Sequence, residues 1–122
     1  MKSSLDNLVE ISMLMDFYGA LLSERQQQIV ALYHEENYSL QEISEELGVS
    51  RQGVHEALKK AEKALQGYEE KLGLVERFRA QEQVLQDARS AVDLLLQRCG
   101  DVEIRTGLLG IRNDIDSIEE QG

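Results

Sequence analysis

Residues 37–65 read NYSLQEISEELGVSRQGVHEALKKAEKAL, and the fold turns on whether this stretch makes two helices meeting at a sharp corner. Ser39 with Glu42 three residues on is a capping box: the hydroxyl satisfies a free backbone N–H of the first turn, and the glutamate reaches back to another. It predicts a compact helix over residues 40–47 with Leu40, Ile43 and Leu47 facing inward. Gly48 supplies the left-handed residue that ends such a helix, and Val49 follows as an apolar plug. Ser50 then caps a helix over residues 51–72. On that second helix Val54 and Leu58 lie one turn apart facing inward, with Ala57 or Ala61 where helices approach closely and Ser44 as the small residue at the crossing. These are the positions that a helix-turn-helix requires.

Working upstream, Ser23 and Gln26 form another capping box and open a helix over residues 24–35 with Ile29, Leu32 and Tyr33 inward. The preceding helix covers residues 5–18. Leu5, Leu8, Val9, Ser12 and Met15 or Asp16 trace one stripe on it, broadened by Ile11, Leu14 and Phe17. Downstream the period changes. Leu74, Phe78, Gln81, Leu85, Ala88, Val92, Leu95 and Cys99 follow at alternating steps of four and three, a heptad seam about 39 Å long. Gly100-Asp101 stops that helix and caps another, on which Ile104, Leu108, Ile111, Ile115 and Ile118 resume the spacing. The tail satisfies these seams either by folding back as a hairpin or by pairing with a second chain. The expected organisation is an all-α protein with a helix-turn-helix domain over residues 1–72 and a helical C-terminal extension over residues 73–122.

Composition narrows the function. The chain has 122 residues, no proline, 42% hydrophobic residues and a formal net charge of −10. The acidity is even: residues 1–72 hold 7 Lys/Arg against 13 Asp/Glu, and residues 73–122 hold 6 against 10. A nucleic-acid contact must therefore come from a local patch, because the field of the whole molecule repels phosphate. No apolar run approaches the roughly 20 residues of a membrane span, and the acidic N-terminal stretch does not read as a signal peptide, so a cytoplasmic protein is expected. The single cysteine, Cys99, offers neither an intrachain disulfide nor a metal cage, and it fits a small apolar seam residue. His34 and His55 fall on different helices with no ligand-spaced partners, so no metal site is expected. The adjacent glutamate pairs point about 100° apart on a helix and read as solvated surface. With no phosphate-cradling loop and no nucleophile beside a base, neither an enzyme nor a cofactor is expected.

The local patch lies on the second helix of the motif. Its outward residues are Ser50, Arg51, Gln52, His55, Glu56 and Lys59, with Lys60 and Lys63 farther along. Arg51 and Gln52 are types that contact guanine and adenine edges in pairs of hydrogen bonds, and the lysines farther along reach phosphates. Residues 50–63 carry four basic side chains against Glu56 and Glu62, a net of +2. Residues 35–46 carry five glutamates and no Lys or Arg, on or beside the helix that would cross the backbone. One copy is expected to bind weakly, and two copies would bring about 6–8 basic contacts.

The stretch SLQEISEELGVSRQGVHEALKKAEKAL resembles region 4 of bacterial sigma factors, which reads the −35 promoter element. Taken with MDFYGALLSERQQ upstream and QGYEEKLGL downstream, it resembles the YlxM family of small bacterial helix-turn-helix proteins over roughly residues 11–75. Ser44 stands where that family commonly has alanine, and His55 where it often has an aromatic residue. The resemblance implies a sigma-region-4-like fold and a gene beside that of the signal recognition particle GTPase. It implies, by association, a regulatory part in the signal recognition particle pathway. The expected partners are duplex DNA or the particle's RNA, its GTPase, and a second copy of the chain. The alternative reading is a scaffold that docks on the particle's protein or RNA without binding DNA.

Overall fold

Serine hydroxyls mark where three of the helices begin. Ser23 Oγ accepts from the Gln26 N–H at 3.1 Å while Gln26 Oε1 accepts from the Ser23 N–H at 3.1 Å. The same reciprocal pair joins Ser39 and Glu42 at 3.0 and 3.1 Å. Ser50 Oγ accepts from the Gly53 N–H at 3.0 Å. Each bond satisfies a donor that the helix geometry leaves without an internal partner.

The computed structural model describes the backbone of residues 4–121 and the side chains of residues 10–120. The protein is all-α, with no strand among the described residues. Its helices are α1 (Ser4–Tyr18), α2 (Glu24–Val30), α3 (Leu40–Leu47), α4 (Arg51–Leu72), α5 (Leu74–Arg98) and α6 (Val102–Gln121). A short 3₁₀ turn, Gly19–Leu21, follows α1, and a π-helical turn, Ala31–Glu35, extends α2. The chain divides into two units, Met1–Val75 and Glu76–Gly122.

The first unit is built around α4, which packs against α1, α2 and α3. Val54, Leu58, Ala61 and Leu65 form its inner side and are buried together with Ile11, Leu14, Tyr18, Leu22, Ile29, Val30, Ile43 and Val75. Burying Val54, Leu58 and Leu65 stabilises the unit by roughly 1.5–3 kcal/mol apiece. Two expectations change here. On α1 the buried stripe is Ile11, Leu14 and Tyr18, whereas Ser12 and Asp16 are exposed; Leu5, Leu8 and Val9 lie outside the described side chains. On the second helix Val30 is buried and Tyr33 is exposed. Tyr33 lies in the π-helical turn, in which the Glu36 N–H reaches the Ala31 carbonyl at 3.1 Å. The wider turn changes the helical phase at Tyr33, whose ring meets the His34 ring edge-on at 5.0 Å.

Tyr18 closes the far end of the core. Its hydroxyl donates to Glu69 Oε1 at 2.6 Å and accepts from the Leu74 N–H at 3.0 Å. Glu69 Oε1 also accepts from the Val75 N–H at 3.0 Å. A phenol and a carboxylate thus cap the first turn of α5, just past Gly73, which ends α4 at φ 62°.

In the second unit α5 and α6 run antiparallel as a hairpin. Arg89 pairs with Asp116 at 2.7 Å and Glu119 at 3.2 Å, and Arg112 pairs with Asp93 at 3.2 Å. Arg105 donates to the carbonyls of Leu96 and Cys99, and Asp101 caps α6 by accepting from the Ile104 N–H at 3.1 Å. Val92 and Ile115 are buried between the helices, with Leu85, Leu96, Cys99 and Leu108 half-buried. The heptad seam read from the sequence therefore splits. Gln81, Ala88, Leu95, Ile104, Ile111 and Ile118 are exposed, because the hairpin uses the side of each helix that carries the arginine–carboxylate pairs.

Burial, and after it the bond to Glu69, hold the Tyr18 phenol above its ordinary value of 10.0, against the opposing pull of the Leu74 N–H. Stability tied to this proton is complete below pH 10 and is lost as pH rises through the folded value. Urea unfolding from about pH 8 to about pH 11 checks this. Tyr18→Phe is expected to be less stable than wild type at the lower end and to lose stability less steeply towards the upper end.

Candidate nucleic-acid interface

The corner between α3 and α4 is made by backbone conformation and one hydroxyl. Gly48 adopts φ 68°, ψ 30°, and its N–H donates to the Ser44 carbonyl at 2.9 Å. The Val49 N–H donates to the same carbonyl at 3.2 Å, and the Ser44 hydroxyl donates to the Val49 carbonyl. Ser44, expected as the small residue at the crossing, thus also ties the turn across its ends. Val49 is 37% exposed, so it contributes its backbone to the turn and does not serve as the expected apolar plug. Ile43 is fully buried on α3, while Leu40 and Leu47 are half-buried around it.

Because Val54, Leu58, Ala61 and Leu65 are committed to the core, the helical period turns the other side of α4 to solvent. Ser50, Arg51, Gln52, His55, Lys59, Lys60 and Lys63 are all exposed. From Arg51 to Lys63 this face runs about 18 Å along the helix. Arg51, Lys59, Lys60 and Lys63 make no ion pair among the described residues. Gln52 donates only a long bond of 3.5 Å to Glu56.

The acidic residues nearby are partly engaged. Glu62 meets His34 Nε2 at 3.0 Å, with only 14% of the His34 side chain exposed, so its carboxylate is held by the π-helical turn. That leaves Glu56 as the acid on the outer side between residues 50 and 63. On α3, Glu42 is folded back into its capping box and Glu45 accepts from the Gln41 amide at 3.1 Å. Glu35, Glu36 and Glu46 are exposed, and the negative charge beside the face remains. The His34–Glu62 pair spans 28 residues of sequence, and no local pattern marks it. Among the described residues no cluster of three or more His, Cys, Asp or Glu could hold a metal ion, and no helix is long and apolar enough to cross a membrane.

Residues 5–100 match the family described as "Putative helix-turn-helix protein, YlxM / p13 like". The chain belongs to this family. It is 40% identical over 113 residues to the UPF0122 protein of Thermoanaerobacter sp. (strain X514), covering 93% of this chain and 97% of that one. It is 48% identical over 86 residues to the UPF0122 protein of Desulforamulus reducens, 70% of this chain and 68% of the relative. Over 72 residues, 59% of this chain and 62% of the relative, it is 54% identical to the UPF0122 protein of Caldanaerobacter subterraneus subsp. tengcongensis. The family match extends past the helix-turn-helix unit into α5, so the membership covers more than the motif.

A Cβ placed on Gly48 meets nothing within 4 Å, so substitution there carries a conformational cost and no clash. Gly48→Ala is expected to destabilise the protein by about 1–2 kcal/mol, and Gly48→Asn by less, because asparagine tolerates the left-handed region. Urea unfolding of the full chain measures both.

Proposed function

We propose that the protein is a non-enzymatic, cytoplasmic regulator that grips duplex nucleic acid with the outer face of α4. The observation that carries this reading is the state of that face. Arg51, Gln52 and His55 stand exposed at the start of the helix, with Lys59, Lys60 and Lys63 behind them, and Glu62 is drawn off toward His34. In this reading Arg51 and Gln52 contact base edges, the lysines contact phosphates, and Ser50 holds the helix start. The resemblance of the motif to sigma factor region 4 favours DNA, and the signal recognition particle pathway that the family resemblance implies would make the particle's RNA the other duplex. A net of +2 between residues 50 and 63 is modest beside a chain charge of −10, so affinity depends on two copies acting together.

The acidic side of the motif favours a second reading. Exposed Glu35, Glu36, Glu42, Glu45 and Glu46 gather around α3, a surface complementary to a basic protein. The signal recognition particle GTPase is the basic partner that the resemblance implies. A complex with it that survives Arg51→Ala and is lost in Glu45→Lys/Glu46→Lys would favour this docking role.

For the leading reading, anisotropy with labelled DNA and RNA duplexes at about 50 mM salt and above is the test. Lys59→Ala is expected to weaken binding to all sequences alike and to reduce the salt slope by about 1 per copy. Arg51→Ala is expected to cost about 1–3 kcal/mol per copy and to relax sequence preference. If the wild-type protein binds no duplex at the lowest salt, the nucleic-acid reading fails.

A further inference from the structure

The hairpin of α5 and α6 has two unlike faces. One edge is closed by the Arg89–Asp116, Arg89–Glu119 and Arg112–Asp93 ion pairs. The other is apolar and uncovered. Val84, Ala88 and Leu95 follow one another on a single side of α5, with Val84 67% and Leu95 52% exposed. On α6, Ile104, Ile111 and Ile118 recur every seven residues and are each about half exposed. The two rows share a face, because Ile118 and Val84 line one shallow apolar hollow of about 480 Å³ with Ala80, Gln81 and Leu85.

We infer that this apolar face is where a second copy of the chain docks, completing an antiparallel four-helix bundle. The inference locates the pairing on which the nucleic-acid reading depends, yet it stands on the hairpin alone. Three features commit the face to a second copy. Val92 and Ile115 are the buried side chains among the described residues of Glu76–Gly122, and a hairpin that small needs further apolar cover to be stable. The face is apolar on both helices: isoleucines occupy α6, and on α5 Ala80 and Ala88 leave room beside the projecting Val84 and Leu95. A two-fold axis along the bundle stacks α5 of one copy over α6 of the other, apolar row against apolar row. The size is also right. Twenty-five residues of α5 span about 37 Å, and two helices side by side are about 18 Å wide, so each copy offers roughly 700 Å². That approaches the roughly 800 Å² per partner of a stable interface.

The mass of the full chain in solution, without nucleic acid, tests this. Sedimentation equilibrium over about 1–100 µM is expected to give twice the 13.8 kDa of one chain. Val84→Glu and Ile111→Glu are each expected to raise the dissociation constant at least about tenfold while far-ultraviolet circular dichroism keeps the helical signal. Leu109→Glu, which alters an exposed leucine on the side of α6 away from this face, is expected to leave the mass unchanged. A monomeric wild type, or Val84→Glu and Ile111→Glu variants that pair as tightly as wild type, overturns the inference. So does a Leu109→Glu variant that separates as readily as those two. Since the readout is mass, failure of duplex binding leaves it untouched, and a monomer leaves the nucleic-acid reading to its own assay.

Discussion

Val54, Ala61 and Leu65 are sealed from solvent along the inner side of α4, and their burial governs what the opposite side presents. A helix has one angular degree of freedom in its seat, and three helices packed around these side chains remove it. Once Leu58 and Leu65 are in the core, Lys59 and Lys63 have nowhere to point except outward. The exposed row on α4 is thus a consequence of core packing, and its aim is as rigid as the core itself. Gly48 and Ser44 set the other coordinate, the angle at which α4 leaves α3.

The outer face of α4 is a local basic exception within an acidic molecule, a net of +2 over residues 50–63. Two devices moderate that acidity. Capping boxes occupy a carboxylate of α3 with backbone donors, and His34 draws Glu62 sideways. Both change where the carboxylate oxygens lie. Position matters here because Coulomb attraction to a phosphate weakens with distance and is screened within about 8–10 Å in salt.

Much of this architecture could be read from the sequence, and each exception has a physical cause. Helices α3 and α4 were legible because caps, left-handed glycine and apolar spacing all act within a few residues. The outward placement of Arg51 through Lys63 followed from the same period. What sequence reading missed involves partners remote along the chain. Tyr18 meets Glu69 across 51 positions, and His34 meets Glu62 across 28. The fate of Tyr33 was illegible for another reason: a π-helical turn shifts the phase of a helix without a signature in its residues. In the tail, apolar residues cover more of each helix than one neighbour can bury. A single heptad line therefore could not say which of them would meet inside the hairpin.

The reciprocal serine caps have a kinetic meaning as well as a structural one. A capping box is complete within four residues, so it biases the unfolded chain before any long-range contact exists. The ends of α2 and α3 are therefore specified early, and the corner between α3 and α4 needs only Gly48 to turn. With no proline in its 122 residues, the chain also has no prolyl bond whose isomerisation could delay this sequence of events. The motif is written so that its segments find their ends alone, and the slower search is left to the side chains that close the core.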